Sequence, residues 1–291
     1  MIANTPELRR STPRYIFIYQ SRFPPVEEEM LLPGDSDRDR FDRARRIAWL
    51  DIDAISKARV LMVGAGAIGN EVAKNLVLSG FRDVVVVDMD RVVHSNLARC
   101  LFFSRGDVAS ERFKADIVAE GMRRLDGDVA AVAITRRIQD LGDEFIGGFD
   151  LVLGCLDNLM ARLHVNAQCC NQGIPYIDGA MDGVRGKVQV VLPPETPCLE
   201  CGMNRSHGRI VEQRFSCTGN DVSVFVPKVG AEITTTSVIA AVQVREAVKI
   251  CCAQPDKCLR NLAYYDGMKN TFDVMEIEVN PDCAHHARKR R

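Results

Sequence analysis

The chain has 291 residues, enough for one large domain or two small ones. Hydrophobic residues make up 46% and the formal net charge is -1, so a packed core is available and no global basic field points to nucleic acid. No apolar run approaches the roughly 18 residues of a membrane span. "MIANTPELRRSTPRYIFIYQ" lacks a secretory apolar core, and the odd count of 11 cysteines reads as reduced thiols in a cytoplasmic protein.

Residues 1–40 read as an N-terminal extension and docking element, with a strand-like "YIFIYQ" and a Pro- and charge-rich linker. Residues 41–291 read as one domain. "FDRARRIAWLDIDAISKA" predicts helical turns. "RVLMVGAGAIGNEVAKNLVLSG" predicts strand, glycine turn and helix, and "DVVVVDMD" a second buried strand. "SERFKADIVAEGMRRLD" has helical periodicity. "AAVAITRRI" predicts a strand, followed by a polar helix and the strand of "FDLVLGCLDN". Then come the helix "ARLHVNAQCCNQGI", the strands "PYIDGAM" and "GKVQVVLPP", the helix "TSVIAAVQVREAVKICC" and a hairpin in "NLAYYDGMKNTFDVMEIEV". Strands alternating with helices predict an α/β fold. Its sheet is doubly wound, Rossmann-like and mainly parallel, with an antiparallel extension. The basic tail "ARKRR" reads as solvated, with no nucleic-acid partner expected.

"VGAGAIG" sets Gly64, Gly66 and Gly69 in G-x-G-x-x-G spacing. Such glycines let backbone approach a phosphate, and the following helix N-terminus offers free N–H groups. Asp88 ends the next strand, where a carboxylate can hold ribose hydroxyls. These features fit nicotinamide, flavin or ATP equally, and a turn without a ligand is the bland reading. The next polar groups favour ATP: Asp90, Asn96, Arg99 and Lys114. Pyrophosphate leaves with its charge and needs such cations, whereas hydride transfer does not. Asp157 follows a buried strand and can hold magnesium beside a triphosphate.

"PCLECG" contributes Cys198 and Cys201, and "NPDCAHHA" contributes Cys283 and His286 at the same spacing, with His285 as a rival. Two such pairs supply a tetrahedral zinc set; one Cys-x-x-Cys alone is also a redox pair. Among the remaining thiols Cys155, Cys169, Cys170, Cys251, Cys252 and Cys258 sit in apolar strands, helices or a late loop. Cys217 lies in polar "RFSCTGND", next to Thr218 and near Arg214, a setting that favours thiolate. His207 and Arg209 in the same segment read as solvated or as contacts for a substrate tail.

"VGAGAIG", "DMDRVVHSNLAR", the lysine of "FKAD" and "CLDN" together resemble the ubiquitin-activating-enzyme superfamily, across residues 40–286. Its small members include the ThiF-, MoeB- and HesA-type adenylyltransferases. The resemblance implies ATP- and magnesium-dependent adenylation of the C-terminal glycine of a ubiquitin-like protein. It places Gly64, Gly66, Gly69, Asp88, Asp90 and Asn158 at the nucleotide. Asn96, Arg99 and Lys114 go to the phosphates and Asp157 to magnesium. It also implies a homodimer in which Arg45, flanked by Arg43 and Arg46, reaches the partner's site in trans. Zinc at Cys198, Cys201, Cys283 and His286 and an attacking Cys217 follow from the same resemblance. Cys100 departs from it, standing where the family usually has glutamine.

The first expectation is therefore a compact, prokaryotic-style activator, without a large inserted domain or an appended ubiquitin-fold domain. It would form a thioester on Cys217 for transfer to a conjugating enzyme. The alternatives are an adenylyltransferase that readies a sulfur-carrier protein for thiocarboxylate formation, a non-catalytic partner subunit, and a nicotinamide dehydrogenase. The last lacks a hydride-side acid–base pair.

Overall fold

The apolar runs form eight strands: β1 (Arg59–Val63), β2 (Asp83–Val87), β3 (Ala130–Ile134), β4 (Leu151–Gly154), β5 (Tyr176–Asp182), β6 (Arg185–Val191), β7 (Leu262–Asp266) and β8 (Thr271–Met275). The computed structural model describes residues 37–203 and 230–287. One sheet runs β3-β2-β1-β4-β5-β6-β7-β8. The first five of these are parallel and the last three pair antiparallel. This is the doubly wound sheet with an antiparallel extension that the sequence predicts.

The helices are α1 (Asp42–Arg45), α2 (Ile52–Lys57), α3 (Ala67–Ser79), α4 (Arg105–Ala109), α5 (Lys114–Leu125), α6 (Leu159–Gln172), α7 (Ile233–Cys251) and α8 (Ala284–Ala287). Strands β1 and β2 are buried on both faces, which explains why RVLMV and DVVVV do not alternate. Val60, Met62, Val84 and Val86 pack with Val72, Leu76, Val118, Met122 and Val244 of α3, α5 and α7. Leu61, Val63, Val85 and Val87 pack on the other face with Val165 and Cys169 of α6. No helix among the described residues is long and apolar enough to cross a membrane.

The polar helix expected after β3 does not form. Residues Ile138–Asp140 and Phe145–Gly148 make two short 3-10 turns instead. Gly142 between them has φ +80°, a left-handed conformation that breaks helix propagation. Ile138, Ile146 and Phe149 still bury against the sheet. The hairpin of β7 and β8 forms as expected, and "YIFIYQ" lies outside the described residues.

One buried polar network ties β5 to α6. Asp178, only 1% exposed, accepts from Arg162 Nε at 2.9 Å and from Tyr176 Oη at 2.8 Å. Arg162 Nη2 donates to its second oxygen. A side chain at Gly154 would strike the Tyr176 ring and hydroxyl, so glycine there lets the phenol reach Asp178. Burial and the adjoining carboxylate push the Tyr176 phenol well above its usual range, so it stays a donor.

Removing one partner of such a pair leaves an uncompensated buried charge. Asp178→Ala is expected to lower the unfolding free energy by about 3–5 kcal/mol, measured by urea denaturation. The double variant Asp178→Ala/Arg162→Met is expected to recover part of that loss. Equal stability of the single variant and the parent would refute this account.

Candidate functional site

The strand order reverses at β1: β2 lies on one side and β4 on the other. Open parallel sheets bind ligands in the crevice at this switch point, outside the carboxyl ends of the strands. The glycine turn leaves β1 there. Gly64 has φ +99°, and a Cβ at this position would lie 2.5 Å from the Cys155 carbonyl oxygen after β4. A Cβ on Gly69 would collide with the Gly64 carbonyl oxygen. Both positions are thus closed by backbone. Gly66 differs: a Cβ there meets nothing within 4 Å. It is also the N-cap of α3 and supplies no capping side chain, which leaves the helix N–H groups for an anion.

Asp88 braces this turn. Its Oδ2 accepts from Ala65 N at 2.7 Å and its Oδ1 from Asp90 N at 2.8 Å. Burial raises the Asp88 carboxyl pKa, while the charge of Lys114 and these two N–H groups oppose the rise. Lys114 is the first residue of α5. Its Nζ lies 2.7 Å from Asp90 Oδ2 and its backbone N donates to Asp90 O at 2.9 Å. Arg99 is half-buried and donates to the Ser95 carbonyl. The structure therefore gathers Gly66, Asp88, Asp90, Arg99 and Lys114 around one sheet edge.

Two predicted contacts have structural duties. Asn96 is buried, and its Oδ1 caps a 3-10 turn by accepting from Val93 N at 3.0 Å. Asn158 caps α6, accepting from Met160 N at 2.9 Å and Ala161 N at 3.4 Å. Asp157 stands exposed just before it, beyond β4, where a carboxylate can meet a cation. Cys100 beside Arg99 is buried, and burial pushes its thiol up to about 11 against the pull of Arg99 and Lys114.

Sequence reasoning missed Asn70. It is fully buried in the first turn of α3. Its Nδ2 donates to Ala65 O at 3.0 Å and Gly66 O at 2.9 Å, and its Oδ1 accepts from Phe102 N at 3.0 Å. It thus fastens the glycine turn to the segment that follows Arg99. Its one sequence signal is an amide on the inward face of an apolar helix.

Arg45 is not brought to this edge. It lies in α1, where its guanidinium pairs with Asp39 at 3.4 Å and Asp53 at 3.2 Å. Phe41, just before α1, packs near Gly80 at the far end of α3 from the glycine turn. A 13-residue helix spans about 20 Å, so Arg45 is remote from the glycine turn of its own chain. Cys217 lies outside the described residues, as do His207, Arg209, Arg214 and Thr218.

A second cluster joins the β6 end to α8. The sulfurs of Cys198, Cys201 and Cys283 lie within 4.8 Å of one another. Cys198 Sγ is 3.9 Å from Cys201 Sγ and 3.6 Å from Cys283 Sγ, and Cys201 Sγ is 3.9 Å from His286 Nε2. Tetrahedral zinc with Zn–S bonds of about 2.3 Å requires sulfur–sulfur edges of about 3.8 Å, so the three sulfurs fit, while His286 Nε2 approaches Cys201 but lies outside the group of atoms that are all within 4.8 Å of one another. His285 is occupied elsewhere, with Nε2 2.8 Å from Glu200 Oε1. Burial and the adjacent His285 lower the His286 pKa, favouring the neutral ring that a metal binds. Of the two histidines, His286 has its ring nitrogen beside a cluster sulfur, while that of His285 is on Glu200.

Residues 42–285 match the profile of the ThiF family. The chain belongs to the ThiF family. Among relatives of this ThiF family chain, the Caenorhabditis elegans NEDD8-activating enzyme E1 catalytic subunit is 33% identical over 181 residues, 56% of this chain and 42% of that protein. The Dictyostelium discoideum SUMO-activating enzyme subunit 2 is 37% identical over 151 residues, 51% of this chain and 22% of that protein. The chain thus spans less than half of either relative. The molybdopterin-synthase adenylyltransferase of Salmonella typhimurium is 28% identical over 255 residues, 86% of this chain and 96% of that protein. Escherichia coli MccB crystallised with ATP shares the fold at TM-score 0.68 and 18% identity, covering 88% of this chain and 77% of its own.

Gly64 and Gly66 are expected to separate on substitution. Gly64→Ala forces a left-handed alanine against a carbonyl and should lower the thermal midpoint. Gly66→Ala should leave the midpoint unchanged and weaken ATP binding at least about tenfold in calorimetric titration. Unaltered ATP affinity in Gly66→Ala would show that this opening does not receive the phosphates.

Proposed function

We propose that the chain is an ATP-dependent adenylyltransferase that activates the C-terminal glycine carboxylate of a ubiquitin-like protein. The observation that carries this reading is the convergence of the open Gly66, Asp88, Arg99, Lys114 and Asp157 at the switch point. The ThiF family match and the names of the relatives support it.

The chemistry follows from charge. One oxygen of the substrate carboxylate attacks the α-phosphorus of ATP. The bond from that phosphorus to the β-bridging oxygen breaks, and pyrophosphate leaves with the electron pair. Asp88 accepts from the ribose hydroxyls while holding the glycine turn in place. The N–H groups at the start of α3 and the cations of Arg99 and Lys114 neutralise charge that grows on the phosphates. Asp157 would hold magnesium, which supplies further neutralisation when bound. Arg45, remote from the glycine turn of its own chain, would act in trans from a second copy in a homodimer. The Cys217 thiolate then attacks the acyl carbonyl and expels AMP, leaving a thioester for a conjugating enzyme. Zinc at Cys198, Cys201, Cys283 and His286 has a structural role, holding the C-terminal end to the sheet.

One observation favours a second reading. Similarity to the molybdopterin-synthase adenylyltransferase extends over 96% of that protein, whereas the activating-enzyme subunits are covered over 42% and 22%. In that reading the adenylate of a sulfur-carrier protein goes on to a thiocarboxylate.

Pyrophosphate–ATP exchange tests the common step. With a glycine-ended modifier, Lys114→Ala and Arg99→Ala are each expected to slow exchange about 10²–10³-fold, as for loss of a transition-state donor. Exchange with no ubiquitin-like or sulfur-carrier protein would refute the reading. Cys217→Ala is expected to retain exchange and lose a thiol-labile modifier adduct. Replacement of one oxygen by sulfur at the modifier terminus, read by mass, would favour sulfur transfer instead.

Native mass spectrometry of the full chain is expected to show one zinc per subunit. Cys198→Ser should lower that occupancy, and chelation should lower the thermal midpoint. A metal-free wild-type protein prepared with zinc present would refute the assignment.

A further inference from the structure

Asn166 is fully buried on α6, behind the Cys198–Cys201 turn. Its Oδ1 accepts from the backbone N–H of Leu199 at 3.0 Å, the residue after Cys198. That bond fixes which way the amide points. The other end, Nδ2, is a buried donor with no partner. Few buried donors are left unmatched, and an orphan asks what acceptor it awaits. Leu199 follows Cys198 directly, so the bond to its N–H seats the amide at the Cys198 end of the knuckle. A protonated thiol accepts hydrogen bonds weakly. A metal-bound thiolate carries negative charge and accepts them well.

We propose that Asn166 is a positioning residue of the metal centre, whose Oδ1 sets the Cys198–Cys201 turn and whose Nδ2 donates to the Cys198 thiolate once a divalent ion is bound. The inference rests on the zinc reading of the four donors. It adds a partner outside the ligands, one that orients the first of them and spreads its charge. The same amide holds the knuckle to α6, the helix that starts beside Asp157. The candidate metal centre and the carboxyl edge of β4 are thereby attached to the middle and the start of one helix.

Two substitutions separate the two ends of the amide. Asn166→Asp keeps an acceptor for Leu199 and removes the donor. Asn166→Leu removes both. Zinc affinity of the full chain, measured by competition with a chromogenic chelator, is expected to fall about 10–100-fold in each, the usual effect of losing an outer partner of a ligand. In the cobalt-substituted protein the sulfur-to-metal charge-transfer band is expected to shift in Asn166→Asp, a signature that a purely structural role would not move. In the wild-type chain loaded with a magnetically active cadmium isotope, the Asn166 side-chain amide protons are expected to couple to the metal. This last measurement needs no variant and stands if either substitution prevents folding. Affinity within twofold of wild type with an unmoved band, or absence of the coupling, would overturn the role of Asn166. A wild-type chain that takes up no zinc, cobalt or cadmium would instead overturn the metal reading beneath it.

Discussion

The Cys155 carbonyl oxygen lies 2.5 Å from where a side chain at Gly64 would begin, and the Gly64 carbonyl closes off Gly69 in the same way. Main chain packs on main chain where β1 turns into α3 against the end of β4. Much else follows from that approach. It brings the N-terminus of α3 to the crevice between β1 and β4, and it leaves Gly66 as the one glycine of the three that opens outward. Asn70 then ties the turn to the segment around Arg99 and Cys100, and Asp88 ties it to β2 and Asp90. Each tie uses a polar side chain on backbone groups that would otherwise be unpaired.

The parallel half of the sheet presents donors and cations at this edge, while the antiparallel half is organised by buried pairs. Asp178, Arg162 and Tyr176 sit where the two halves meet, on β5 and α6. Their arrangement depends on Gly154, whose missing side chain is the space that the phenol fills. One helix, α6, therefore answers to three neighbours: the Asn158 cap at its start, Asp178 within its first turns and the cysteine knuckle beyond.

The strands, the glycine turn and the hairpin were legible because each is a local pattern: an apolar run, a G-x-G-x-x-G spacing, two strands around a polar turn. Long-range polar matching was not. Nothing local joins Arg162 to Asp178, or Asn70 to Phe102, because each pair meets only after folding. Nor does spacing show that the side-chain oxygens of Asn96 and Asn158 are held by turn and helix N–H groups. Equal spacing favours His286 over its rival His285, and no spacing announces that His285 meets the carboxylate of Glu200. The helix expected after β3 failed at a glycine with positive φ, a property that composition does not announce.

Cys198 and Cys283 touch across 85 residues of sequence, and that separation has a bearing on how the chain is assembled. The last strand of the parallel core to flank β1 is β4, which ends at Gly154. During synthesis the nucleotide-side sheet edge can therefore take shape long before His286 leaves the ribosome. The knuckle can reach its full donor set only after α7 and the β7–β8 hairpin exist. On the zinc reading proposed above, ion capture is then a late step, one that inspects the completed antiparallel half and does not template the parallel one. A nascent chain stalled between these points would carry a formed glycine turn and a Cys198–Cys201 turn still without Cys283.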